Sequence, residues 1–364
     1  MLFRLVDGTP CFEVFRLLNL ELLHFLEEAV DKDDFDRQLF TAGAIGDACW
    51  ANENTLDKFQ KLFEALGNAD GDAKEQLFLA MQNNQDLEVF FGNPHGELLD
   101  FLNSDCRSSL KELSTHLYSA TKDLTPVVAA AGGVNINSHF SEYRSLANNG
   151  NVCKACGMEK LAVIRAGITE QRQWRSDYDH QLCKSKYPIF AVHPNNLIPL
   201  CSVCNQNAKR AKDLFNSTDG NTRLAFYPYT EEARDFVGIE ISNLLDPEPA
   251  FSVFWSTEDE TVLDKLKTWD EVYEIRNRVE GQLRAIEDII VDEINPIDEA
   301  HLIRRIQDEA RPIVGGTLKR KEWVFWYQKL FAELAQVELA PFAAKLGFIQ
   351  EQGAIGGEFI LSGG

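Results

Sequence analysis

A chain of 364 residues, 45% hydrophobic and 26% charged, is long enough for two or three domains that each bury a core, and its composition is globular rather than disordered. A formal charge of −21 excludes a surface that binds nucleic acid throughout, because phosphate repels Asp and Glu. Eight cysteines are too sparse for a disulfide scaffold, and charged residues interrupt the apolar N-terminal stretch before it reaches membrane-spanning length; a soluble, unexported, cytoplasmic protein is expected.

The first arm reads as helices. In 54–68, Leu56, Phe59, Leu62, Phe63 and Leu66 recur at helical spacing, with Asn54 or Thr55 as cap and Gly67 as stop. Leu110, Leu113, Leu117 and Leu124 repeat the pattern over 108–124, and these faces are expected to form core. The cluster GGVNINS at 132–138 reads as a connection, which puts a boundary near residue 140.

Beyond it the character changes. Residues 151–215 hold ten Lys and Arg against five Asp and Glu, net +5, whereas 1–150 and 216–364 each sum to −13. Short β-prone runs such as 160–167 and strand-like pieces within 222–241 are expected here. The last arm is helical again: Leu263, Leu266, Trp269, Val272, Tyr273, Val279, Leu283, Ile286 and Ile290 fit one face, with Gly281 as the weak point and Asn295-Pro296 as the end. Further helices are expected over 297–310 and 321–346, followed by a frayed GGEFILSGG tail. The division is therefore a helical acidic domain at 1–140, a central domain at 141–245 and a helical acidic domain at 246–364.

The central stretch carries the chemistry. Two thiolates separated by two residues turn back onto one ion, so Cys153, Cys156, Cys201 and Cys204 have the spacing of a four-sulfur structural zinc site. The 44 residues between the pairs exceed the usual finger loop, so something folded must occupy them; closing so long a loop adds little entropy cost, which grows only logarithmically. A redox pair or two unconnected buried pairs are the alternatives. Cys11, Cys49, Cys106 and Cys183 have no partner spacing and read as small buried hydrophobes.

Inside the loop lie Asp177, Asp179, His180, Lys184, His193 and Asn196, and Asn205 follows the last cysteine. Phosphodiester hydrolysis needs a base for water, a cation for the phosphate charge and a group that positions the base. His180 matches the base, Asp179 and Asn205 the oxygen ligands of a hard cation, and Asn196 the positioning group. One carboxylate and one amide suit Mg2+ or Mn2+ completed by substrate oxygens. Lys184, Lys186, Lys209 and Arg210 flank this centre and are candidate phosphate contacts. His193, Trp174 and Tyr187 read as packing groups, and Asp177 as either a supporting acid or a surface one.

The run DH-x-L-x-KS-x-YP from Asp179, then NLIP at 196–199 and C-x-x-C-N at 201–205, resembles the HNH endonucleases of the ββα-metal type, in the branch with two Cys-x-x-Cys knuckles. The resemblance covers about residues 150–230. It implies that His180 activates water, Asp179 binds the catalytic metal, Asn196 orients the site and Asn205 completes the metal site. It departs at Cys183, where relatives commonly have Pro, so the turn after DHQL is less rigid. Adjacent strand residues face opposite ways, so the strand must bend or end at Asp179-His180 for both to share one centre. The fold expected is α+β, mainly α-helical, with an embedded zinc-stapled ββα-metal domain. The function it implies is a metal-dependent nuclease acting on DNA, in restriction or anti-phage defence, with the acidic arms available to a protein partner. The alternative is a non-cleaving zinc-knuckle module that binds nucleic acid or protein.

Overall fold

The computed structural model describes residues 1–69, 71–94, 98–145, 149–169 and 172–347; the C-terminal tail lies outside them. Helices α1 (Glu13–Ala29), α2 (Ala44–Ala51), α3 (Glu53–Gly67), α4 (Ala73–Gln82), α5 (Leu87–Gly92), α6 (Ser104–Ser119), α7 (Thr125–Ala130) and α8 (Ile136–Ser145) make up the first arm. In α3 the cap is Asn52 rather than Asn54 or Thr55: its side chain accepts the Thr55 N–H at 3.0 Å. Thr55 is instead fully buried, its hydroxyl 3.0 Å from that of Thr121, which ties α3 to the turn after α6. Leu110, Leu113 and Leu117 of α6 face the core as the spacing predicts.

Two small antiparallel sheets follow. Strands β1 (Tyr178–His180) and β2 (Leu197–Pro199) pair with His180 opposite Leu197. A π-helix, Val203–Lys209, comes directly after. Strands β3 (Val237–Ser242) and β4 (Ala250–Trp255) form the second sheet. The β-prone run 160–167 forms no strand beyond an isolated bridge between Val152 and Lys160. There the Gln173 side chain takes the hydrogen-bonding role of a ladder, binding the Arg165 N–H at 2.9 Å and the carbonyls of Arg165 and Ile168.

The long apolar stripe of the last arm is broken into α9 (Glu260–Tyr273), α10 (Ile275–Leu283) and α11 (Ile286–Glu293). Its first break falls at Glu274, in the left-handed region with φ +56°, and not at Gly281. Lys212 stabilises that break by donating to the Glu271 carbonyl at 3.0 Å and approaching the Glu274 carboxylate at 3.3 Å, as a cation at a helix C-terminus should. Helices α12 (Glu299–Glu309), α13 (Gly315–Leu318) and α14 (Val324–Leu334) complete the arm.

The chain is thus mixed α+β and mostly helical, and one hydrophobic cluster runs through all three stretches. Phe90 and Phe91 of α5, for example, lie 5.1 Å from Phe190 and 5.0 Å from Phe215. Residue 140 falls within α8, whose His139 and Phe140 pack on Tyr178. Among the described residues no helix is long and apolar enough to cross a membrane.

Candidate metal centre and phosphate cleft

The four paired cysteines converge. Their sulfurs lie within 4.8 Å of one another, and all four are buried. A tetrahedral zinc with sulfurs at 2.3 Å needs sulfur separations of about 3.8 Å, so the donor set fits a structural zinc. Backbone N–H groups supply the usual thiolate support: Met158 to Cys156, Cys201 to Cys153 and Cys204 to Cys201, each at 3.4 Å. Arg278 of α10 adds a guanidinium 3.3 Å from the Cys204 sulfur, against the negative charge that four thiolates leave on a divalent ion. Gly157 closes the first knuckle at φ +69°, and a Cβ there would come within 2.5 Å of Leu2.

Both ends of the sequence grip this knuckle. Phe3 donates to the Lys154 carbonyl at 3.0 Å, and Trp269 of α9 and Trp326 of α14 donate their indole N–H groups to the carbonyls of Ala155 and Cys156 at 2.7 and 2.8 Å. The knuckle carbonyls are therefore satisfied by residues more than a hundred positions away.

The second knuckle leads straight from β2 into the π-helix, so the four-cysteine cluster anchors the start of that helix beside the β1–β2 hairpin. Strand β1 ends at His180, and Asp179 and His180 both line one cleft, as the required end of the strand at this pair allows. His180 is 8% exposed; its Nε2 lies 2.9 Å from the Ala191 carbonyl. A carbonyl only accepts, so Nε2 carries the proton and Nδ1 keeps its lone pair. Burial, reinforced by the Lys184 ammonium, pushes the His180 pKa well below the usual histidine value despite the Ala191 bond, which leaves the ring neutral at pH 7.

Asn196 does not touch His180. It is fully buried, accepts from the Leu182 N–H at 2.7 Å, and donates to the carbonyls of Leu182 and Phe190 at 3.1 and 2.9 Å. It thereby closes the loop between β1 and β2 and fixes the backbone next to Ala191, whose carbonyl orients the imidazole. Asn205 lines the cleft from the π-helix, and its backbone carbonyl accepts the Arg210 N–H at 2.9 Å across the wide turn.

Lys209, expected to flank the centre as a phosphate contact, is buried inside it and paired with Asp179. It is 1% exposed, and its ammonium lies 3.0 Å from Asp179 Oδ1 and 2.7 Å from the His180 carbonyl. Gln181 donates to the other Asp179 oxygen at 2.8 Å. Burial pushes the Asp179 carboxyl above its ordinary value, while the Lys209 ammonium pulls against that shift. A hard divalent cation takes about six oxygens. With one Asp179 oxygen held by Gln181 and the other by the Lys209 ammonium, which stands where an ion would sit, the carboxylate as arranged does not fit Mg2+ or Mn2+.

The cleft holds about 670 Å³. Lys111, Lys122, Arg175, Lys184, Lys209 and Arg210 line it with Asp177 and Asp179, a positive excess in an acidic chain that survives the pairing of Lys122 with Asp123. Lys184 sits 4.4 Å over the Tyr118 ring, which also meets His180 edge-on at 4.4 Å. Lys186 is not in the lining; it pairs with Asp213 at 2.5 Å. His193 is structural, with Nε2 3.0 Å from the Gln85 carbonyl. Tyr187 is buried and donates to Asp213, whereas Trp174 is 74% exposed beneath the Arg165 guanidinium. The sequence reading missed Lys111 and Lys122, which come from the acidic arm. Their signal is a stripe at helical spacing, Lys111, Thr115, Tyr118, Ser119 and Lys122, whose side chains all line the cleft.

Comparison with family models, curated proteins and solved structures returns no match.

Proposed function

We propose that the chain hydrolyses phosphodiester bonds in nucleic acid, with DNA as the expected substrate. The observation that carries this reading is the neutral His180, its tautomer fixed by Ala191, at the wall of a cleft lined by six cationic side chains. The cations bind and orient the phosphate diester. Nδ1 of His180 takes a proton from water as the water oxygen bonds to phosphorus. The P–O bond to the leaving group breaks, and that oxygen takes a proton from solvent. Asn196 positions the base through the backbone, and zinc held by Cys153, Cys156, Cys201 and Cys204 keeps the hairpin and π-helix in register. The likeness to HNH endonucleases supports the same reading and extends it to restriction or anti-phage defence, with the acidic arms free to engage a protein.

The test is nicking of supercoiled plasmid by the purified, zinc-loaded protein beside His180→Ala, with and without Mg2+ or Mn2+. Loss of about 100-fold or more in the variant is expected, the scale of a general base. Equal nicking by both proteins sinks the assignment. Nicking by neither favours the second reading, a non-cleaving phosphate-binding module, to which the fully engaged Asp179 carboxylate also points.

A further inference from the structure

The structure assigns to Lys209 the place of a catalytic cation: we propose that its ammonium, held by Asp179 and the His180 carbonyl, contacts the scissile phosphate in place of a divalent ion and excludes such an ion from Asp179. The contact with phosphate rests on the function proposed above; the exclusion of the ion does not.

An ammonium donates three hydrogen bonds. Two of those of Lys209 are directed at Asp179 Oδ1 and the His180 carbonyl, and the residue lines the cleft, so the third falls to a phosphoryl oxygen that displaces what covers the 1%-exposed side chain. The same contacts place it beside the base. Its position is built rather than incidental. Lys209 ends the π-helix that begins at the second knuckle, so the metal frame sets where its stem enters the protein. The residue after it, Arg210, lies at φ +51°, a conformation that turns the chain away and is unusual for a side chain of this size.

Charge decides between an ion and the lysine. A divalent ion and an ammonium cannot both lie against one buried carboxylate oxygen, since like charges that close repel strongly in a dry environment. Entry of Mg2+ would have to expel a 1%-exposed ammonium from two hydrogen bonds into a cleft that already holds Lys122, Lys184 and Arg210. With Lys209 in place, the Asp179–Lys209 pair is neutral, and the remaining cations of the cleft supply the positive field. The step balances without a metal: the water O–P bond forms, the leaving P–O bond breaks, His180 Nδ1 receives the water proton, and solvent protonates the leaving oxygen. Nothing is oxidised or reduced.

Two measurements test this on full-length protein carrying one zinc per chain. In the first, Mn2+ is titrated and followed by its electron paramagnetic resonance for wild type, Asp179→Asn, Lys209→Met and Lys209→Glu. Wild type is expected to bind no Mn2+ below 1 mM, roughly the weak end of the range for protein sites of hard cations. Lys209→Glu is expected to bind one ion, because it presents two carboxylates beside Asn205. Binding by wild type that Asp179→Asn removes overturns the proposal, and so does failure of Lys209→Glu to bind while it retains its zinc. In the second, nicking is compared in metal-free buffer and in Mg2+. Rates within about twofold for wild type, with a loss of about 100-fold in Lys209→Met, are expected from removing an electrostatic contact to the developing charge. Nicking only with Mg2+ overturns the catalytic role. If the protein nicks nothing under any condition, the proposed hydrolysis fails with this role, while the Mn2+ titration still decides the exclusion. If the Lys209 variants do not fold, wild type beside Asp179→Asn decides it.

Discussion

Replacing Asn196 with Ala removes three hydrogen bonds from one dry place. Its oxygen accepts the Leu182 N–H, and its amide donates to the carbonyls of Leu182 and Phe190; Leu182, Phe190 and Asn196 are each 0% exposed. At a net worth of about 1 kcal/mol per bond the loss is about 3 kcal/mol, rising to about 6 kcal/mol if the stranded backbone groups stay out of reach of water. Asn196→Asp keeps the acceptor and the volume but sets an anionic oxygen against two carbonyls, so it should destabilise at least as much at neutral pH. Urea unfolding followed by tryptophan fluorescence, with zinc content measured on the same samples, reads both variants. Nicking assayed well below the unfolding midpoint should also fall, because the Ala191 carbonyl that orients His180 follows Phe190 directly. A stability loss below about 1 kcal/mol for Asn196→Ala would refute the reasoning, since it would mean that the loop between β1 and β2 needs no side-chain clamp.

Cys201→Ser should lose zinc and unfold at a far lower urea concentration, measured by metal content and fluorescence; full zinc retention would argue against a four-sulfur site. Lys111→Ala should weaken DNA binding and flatten its logarithmic salt dependence by about 0.9, whereas Lys186→Ala, outside the cleft and paired with Asp213, should leave that slope unchanged. Burial pushes both His139 and His193 down to about 4. As pH falls below the ordinary histidine value near 6.5, the unfolded chain binds protons that the folded chain refuses, so stability is complete above that value and declines until about pH 4. Each histidine accounts for a loss on the order of 3 kcal/mol. His139→Gln should make the decline shallower at constant zinc content, and an identical pH profile would show that His139 is not a source of it.

Much of the site was legible because its signals are local. A Cys-x-x-Cys pair is set by the reach of one turn, and the order Asp179-His180, Asn196, Asn205 follows a strand, the turn that enters a second strand and the helix that leaves a knuckle. The pairing of Lys209 with Asp179 was not legible, because burial of a lysine depends on what the tertiary fold lays over it, and exposure is the ordinary expectation for that residue. Lys111 and Lys122 were hidden for a related reason: the net charge of their arm masks a stripe on one face of α6 and the turn beyond it. In the last arm, spacing identified the buried face of α9 to α11 but not the break at Glu274. Gly281 is the intrinsically weaker position, yet a lysine from another part of the chain holds the left-handed turn.

The grip of Trp269 and Trp326 on the first knuckle bears on the order in which the protein is made. A nascent chain that has emerged as far as residue 215 already contains His180, Asp179, Asn205 and all four clustered cysteines, but it still lacks the indoles that bind the carbonyls of Ala155 and Cys156. Contacts so distant along the sequence form late, after most of the polypeptide has left the ribosome. Synthesis therefore delivers every residue that lines the cleft before the indoles that hold the first knuckle, and a prematurely terminated product carries the cleft residues and the four cysteines without that grip.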